Sequence, residues 1–409
     1  MLALPRNVWL LTLVLSLAMS AGAMMVMVGG LIGAQMAPSP KLSTLPVALM
    51  IVGTAIGVVP VTRAMGKYGR KPIFVGVAML ACLSSLLGAM SVVIEQFELF
   101  LFASFVLGIA ISGFQQIRFA AMESVDLERA PKAASTVMLG GLVAAVLGPE
   151  LVTQGNNLLE TQFAGSFVLM AILCLGCVGL FAIMTETHIR NDKVSHHKAD
   201  IADVLVKPTF IIAVSASVVG YALMSFIMTA TPVHMHMHMH MHMHVTEQHS
   251  LEHAKWVIQS HILAMYLPSL VSGWLIAKLG VNKVIAGGLL IYLITIAVAS
   301  SGNHLANYWV ALILLGIGWN FLFLGGTVLL PQTHNTAQKF RVQSINEFAV
   351  FSAQGMAALG AGALLFALGW QGLMVTSFII ICSHILLLAW QAYRVRLASQ
   401  IAVEVGGEK

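Results

Sequence analysis

The chain has 409 residues, 58% of them hydrophobic and only 9% charged, where a soluble domain carries about 25% charge; its mean hydropathy is +0.90. Such a composition cannot coat a water-exposed surface, which excludes a soluble enzyme, a secreted disulfide scaffold and a nucleic-acid-binding domain. The formal net charge of +5 has to be placed against a membrane before it says anything about partners.

Twelve apolar runs follow one another in chain order, near 8–34, 43–65, 73–93, 98–122, 136–158 and 163–185, then 209–233, 254–278, 284–301, 307–329, 344–367 and 371–393. A run of about 20 residues crosses a bilayer. The runs lack the polar–apolar alternation of a membrane barrel, and backbone groups in lipid must be satisfied within the segment, so the runs predict helices. Arg6, an apolar stretch and Ala21-Gly22-Ala23 have the outline of a signal peptide, but the stretch continues to about Ile32. That is too long for a signal segment and predicts an uncleaved first helix. The longest polar stretch, Glu186 to Lys207, contains Arg190, Asp192, Lys193 and Lys198. It divides the chain into a six-helix bundle over 1–186, a linker over 187–207, and a second six-helix bundle over 208–409 with an external loop at 234–253. The expected fold is an all-α membrane protein.

With the N-terminus inside, the segments on the inner side collect almost all of the 21 Lys and Arg residues, and only Lys41 and Lys255 fall outside. The positive-inside rule then places both termini in the cytoplasm. The net charge is topological and calls for no acidic partner. The four cysteines, Cys82, Cys174, Cys177 and Cys382, all fall within spans, so no disulfide framework is expected. Cys174 and Cys177 share a helix face, where they read as packing residues rather than a soft-metal site.

The halves resemble each other. Gly66-Lys67-Tyr68-Gly69-Arg70-Lys71-Pro72 follows the second span and Ala277-Lys278-Leu279-Gly280-Val281-Asn282-Lys283 follows the eighth. Leu107-Gly108-Ile109 in the fourth span matches Leu315-Gly316-Ile317 in the tenth. Internal duplication of this kind is typical of secondary transporters, whose substrate sits near the midplane between repeats. The basic turn resembles the loop signature of the major facilitator superfamily, Asp-Arg-x-Gly-Arg-Lys, at Lys67, Gly69, Arg70 and Lys71. The acidic position of that signature is Gly66 here and Ala277 in the second copy. The resemblance implies two pseudo-symmetric six-helix bundles. No Gly-x-x-x-x-Gly-Lys-Ser/Thr motif is present, so ATP is not an expected partner.

After the seventh span the chain alternates strictly: His234, Met235, His236, Met237, His238, Met239, His240, Met241, His242, Met243, His244. An extended chain would put imidazoles on one face and thioethers on the other. Imidazole suits copper, zinc and nickel, whereas thioether sulfur selects Cu(I), so the tract reads as a flexible external collector of copper or silver ahead of zinc or nickel, the alternative being a low-complexity expansion without a selected role. The flanking spans carry Met224-Ser225-Phe226-Ile227-Met228 and His261-Ile262-Leu263-Ala264-Met265. Each pair is spaced i, i+4 on one helix face. Counting 1.5 Å per residue from the outer ends puts Met228 and Met224 roughly 8 and 14 Å deep, and His261 and Met265 roughly 11 and 17 Å deep. Three thioethers and one imidazole at one depth suit Cu(I).

These two pairs resemble the copper-importing, CcoA-type branch of the superfamily, which carries Met-x-x-x-Met in helix seven and His-x-x-x-Met in helix eight and supplies copper for cytochrome oxidase assembly. Met228–Pro232, Gly318-Trp319-Asn320-Phe321-Leu322-Phe323 and Arg341-Val342-Gln343-Ser344-Ile345-Asn346 are also similar to that branch. The resemblance implies import across the cytoplasmic (inner) membrane, with copper ion as transported substrate and no prosthetic group. Metallochaperones are candidate partners besides the lipid bilayer. Glu150, behind Gly148-Pro149 in the fifth span, is the proton-coupling candidate, since a carboxylate inside a membrane is a relay candidate by default. Arg118, Glu123 and Glu347 near inner helix ends read as gate or interface pairs, and His188, His196 and His197 as part of a solvated linker. The alternative function is a proton-coupled exporter of drugs or other small organic solutes on the same fold. A metal sensor without transport is a further rival.

Overall fold

The computed structural model describes residues 4–38, 42, 45–156, 158–185, 201–242, 257 and 259–406, and every regular element among them is helical. Twelve helices are long and apolar enough to cross a membrane: α1 Arg6–Gly29, α2 Leu45–Tyr68, α3 Arg70–Val93, α4 Phe97–Glu123, α5 Leu127–Gly155, α6 Ala164–Ile183, α7 Pro208–Thr231, α8 Gln259–Leu279, α9 Val281–Ser300, α10 Leu305–Thr333, α11 Lys339–Leu365 and α12 Ala367–Arg394. This is the expected all-α, twelve-span architecture. Two helices start five or more residues ahead of their apolar runs: α5 at 127 and not 136, and α11 at 339 and not 344. Hydropathy marks only the lipid-buried part of a helix. Each of these helices begins with charged first turns, carrying Glu128, Arg129 and Lys132 or Lys339 and Arg341.

The chain divides into two compact units. Unit 1 comprises residues 1–197, 266–278 and 340–355, and unit 2 comprises 198–265, 279–339 and 356–409. Residues 186–200, most of the stretch read as a linker, lie outside the described residues; 201–207 contains the short helix Ala202–Leu205.

Within unit 1, α2 and α4 meet through glycine. A Cβ at Gly108 would lie 2.0 Å from the Met50 carbonyl oxygen, so only hydrogen fits there. Within unit 2 the matching position, Gly316 of α10, lies against α8, where a Cβ would be 2.7 Å from the His261 carbonyl oxygen. Small residues that let backbones touch are the usual means of helix association in lipid, where burial of apolar surface gives no drive. The two basic turns are also duplicates in backbone: Gly69 precedes α3 with φ 88° and ψ 168°, and Gly280 precedes α9 with φ 88° and ψ 149°. A side chain would strain both.

Candidate functional site

α10 is the frame on which the site in unit 2 is laid out. α7 packs along one stripe of it: Ser217 lies against Gly326, Gly220 against Leu322, and Tyr221 against the rings of Trp319 and Phe323, with centroids at 5.2 and 4.8 Å. His234, beyond Thr231 on the same helix, reaches Tyr308. The first part of α8 packs along the adjacent stripe. His261 meets Leu312, Ala264 and Met265 meet Gly316, and the Asn320 amide donates to the Met265 carbonyl at 2.7 Å. Levels can be read off this common frame. Met228 falls beside residue 314 and Met224 beside 318, while His261 falls beside 313 and Met265 beside 317. The two pairs therefore match to about one residue, or about 1.5 Å of rise.

His261 is fully buried. Its Nδ1 lies 2.7 Å from the Leu312 carbonyl oxygen. A carbonyl can only accept, so Nδ1 carries the hydrogen. In the neutral ring this leaves a lone pair on Nε2, and Nε2 is buried with no hydrogen-bond partner. A backbone carbonyl holding Nδ1–H while Nε2 stays open is the arrangement that orients metal-binding histidines. Leaving such an atom unpartnered otherwise costs about 1–3 kcal/mol. Met224 and Met265 are buried and Met228 is half-buried.

Proline shapes both helices here. Pro232 brings no N–H to the Met228 carbonyl, and Pro268 brings none to that of Ala264. α8 is broken into a turn at Leu267 and Pro268, just past Met265. Among the described residues no three His, Cys, Asp or Glu side chains cluster as a metal site. A metal site here has to draw on thioether sulfur.

The first part of the His/Met tract is helical in backbone. The helix that begins at Pro208 continues to His242. His234 is held firmly: its Nδ1 is 2.8 Å from the Tyr308 hydroxyl, and its ring stacks on Trp370 at 4.7 Å and 8°. Met235 is buried. For His236, Met237, His238, Met239, His240, Met241 and His242 only the backbone is described, and Met243 and His244 lie outside the described residues, as do His188, His196 and His197.

Other sequence candidates fall elsewhere. Glu150 is exposed, with the Thr153 hydroxyl 3.4 Å from its Oε2. Cys174 and Cys177 are fully buried, and the Cys177 thiol points to the Val14 carbonyl at 3.9 Å. In unit 1 the guanidinium of Arg118 pairs with Glu347, whose Oε1 also accepts from Asn346 at 2.7 Å. Arg70 binds Glu123 through Nε at 2.9 Å and Nη2 at 2.6 Å, and donates to Gln343 at 2.9 Å. A Cβ at Gly66 would sit 3.2 Å from the Phe340 ring. An aromatic ring thus occupies the space beside the position where the loop signature has its acid, and Arg70 takes its carboxylate from Glu123. The orienting roles of Leu312 and Asn320, the Tyr221–Trp319–Phe323 cluster and the Arg70 partners were not foreseen; a buried Asn in an apolar span was the available signal for Asn320.

The pattern described as Major Facilitator Superfamily matches residues 8–246. "Riboflavin transporter RfnT" of Brucella anthropi is 34% identical over 369 residues, 90% of each chain. Among solved structures, the human organic anion transporter MFSD10 (TETRAN) aligns with TM-score 0.73 and 16% identity over 94% of this chain and 100% of that one. A bacterial homologue of the iron transporter ferroportin in an outward-facing state aligns with TM-score 0.72 and 14% identity over 95% and 100%. At such identities the solved structures show the fold alone. The riboflavin transporter supports the superfamily and gives no support to the copper-importing branch.

Proposed function

The chain belongs to the major facilitator superfamily and is a multi-pass membrane secondary transporter, and within that family we propose that its cargo is copper, carried inward as Cu(I). The observation that supports this reading best is the open Nε2 of His261, held in the metal-binding tautomer by Leu312. Met228 lies at its level, and Met224 and Met265 lie one turn deeper. Thioethers are neutral, so such a site takes a soft monovalent cation without adding negative charge to the bilayer. Copper is then substrate and not prosthetic group. His234 to His244 would capture it outside, and a metallochaperone would receive it inside. Inward transport on this reading goes with a protein of the cytoplasmic membrane whose two termini are cytoplasmic, the orientation that the positive-inside rule favours. The test is radiocopper uptake by cells expressing Met224→Ala/Met228→Ala or His261→Ala/Met265→Ala. Both are expected to lose uptake, and wild-type uptake in both would sink the site.

A second reading is favoured by a different observation. The Tyr221, Trp319 and Phe323 rings form a cluster next to the same site, and a relative with 34% identity is named a riboflavin transporter. A flat aromatic solute would use ring contacts, with the His261 Nε2 accepting one hydrogen bond. Uptake of labelled riboflavin that depends on Tyr221 and Phe323, and is indifferent to Met224 and Met228, would establish this reading over copper. The exporter variant of the small-solute reading would instead show resistance that requires Glu150.

A further inference from the structure

We infer that unit 2 binds an anionic phospholipid in a groove between α7, α9 and α12. The groove holds about 490 Å3 and is lined by Ile212 of α7, Asn282, Ile285 and Leu289 of α9, and Leu388 and Ala392 of α12, among others. Asn282 is the only polar residue of its lining.

Three observations identify the occupant. The first is length. Along α9 the lining runs from Asn282 to Leu293, about 16 Å at 1.5 Å per residue. That is about half of a 30 Å hydrocarbon core, the reach of a chain from one leaflet. The second is the rim. α7 and α9 begin, and α12 ends, at the same end of the groove, and this end is basic and aromatic. Lys283 follows Asn282, and Arg394 lies two residues past Ala392, its guanidinium 5.2 Å above the Trp390 ring. Trp390 and Tyr393 are 53% and 62% exposed, as residues at a headgroup level are. Basic pockets between membrane helices at that level bind anionic headgroups.

The third observation concerns buried polar groups on α12. His384 and Gln391 are both buried, within one helical turn of the lining residues Ile385, Leu388 and Ala392. His384 Nε2 and both amide atoms of Gln391 have no hydrogen-bond partner. A purely apolar filler would leave them so. Gln391 lies one turn from Arg394, so a glycerophosphate group and its water at the basic end lie nearest its amide, whereas His384, ten residues or about 15 Å further along α12, is out of their reach.

Purified full-length protein in detergent, titrated with dioleoylphosphatidylglycerol or dioleoylphosphatidylcholine and read by native mass spectrometry, tests the site. The wild type is expected to retain one phosphatidylglycerol per chain in preference to phosphatidylcholine. Lys283→Gln/Arg394→Gln, at exposed positions, should weaken phosphatidylglycerol retention on the order of twentyfold, since a cationic side chain near an anionic headgroup gives about fivefold each. Ala286→Trp/Ala389→Trp should fill the groove and abolish retention of both lipids. Equal retention of the two lipids by the wild type, or unchanged retention in either double variant, would overturn the proposal. So would a lipid-free dimer, because a second copy would then be the occupant.

Discussion

Unit 1 and unit 2 each bury a polar centre among membrane helices, and they treat it in opposite ways. In unit 1 charge is met by charge: Arg118 faces Glu347, and Arg70 is clamped by Glu123 and Gln343. In unit 2 the His261 ring is fixed at one nitrogen and left open at the other. A buried ion cannot be left alone, because desolvation costs several kcal/mol per ion and breaking a buried pair costs more than the pair itself contributes. A neutral imidazole can be left half-satisfied at a far smaller cost. The first arrangement suits a closure that holds helices together. The second suits a ligand that comes and goes.

Substitutions should separate the two centres. The largest effect is expected from Arg118→Ala, which strands the Glu347 carboxylate. Loss of about 3–5 kcal/mol should appear in thermal unfolding of the purified protein, and Arg118→Met/Glu347→Leu should restore most of it. Stability close to wild type in the single variant would dissolve the contrast. Next comes Met224→Leu/Met228→Leu, a swap that keeps volume and costs less than about 1.5 kcal/mol. Radiocopper uptake should fall tenfold or more while the unfolding temperature barely moves. A smaller effect, about 1 kcal/mol, is expected for Arg70→Gln, because Glu123 is 23% exposed and water can take over. Tyr308→Phe removes one hydrogen bond to His234 and should cost about 0.5–1.5 kcal/mol. Deleting His236 to His244, which spares the anchored His234 and Met235, should leave unfolding unchanged. It should reduce uptake only at limiting copper; loss at every copper concentration would make the tract an obligatory site and not a collector.

The spacing of Met224, Met228, His261 and Met265 was readable in the sequence as a coincidence of depth, and α10 provides a common ruler on which their levels agree. The ring orientation of His261 was not readable, because it is set by Leu312, a residue 51 positions away with no polar side chain to draw notice. The alternation of His and Met puts the two side-chain types on opposite faces only if the chain is extended. The backbone continues the seventh helix to His242, a conformation that the alternation by itself does not specify. Glu150 and Glu347 are both acids in apolar runs, and only their surroundings tell them apart: Glu150 is exposed, and Glu347 is fully buried against Arg118. Depth counted along a helix says nothing about which side of that helix a residue occupies relative to its neighbours.

The sequence by itself determined the twelve spans, the duplication of the basic turns, and the matched glycines Gly108 and Gly316. A bilayer imposes a constraint along one axis, and apolar length and local backbone demands answer to it residue by residue. Only the tertiary structure decided the partners: Glu123 for Arg70 beside the Phe340-filled space at Gly66, Leu312 for His261, and Trp370 for His234. Those pairings depend on which helix faces lie side by side, and lateral packing in lipid is fixed by close contacts between residues far apart in the chain.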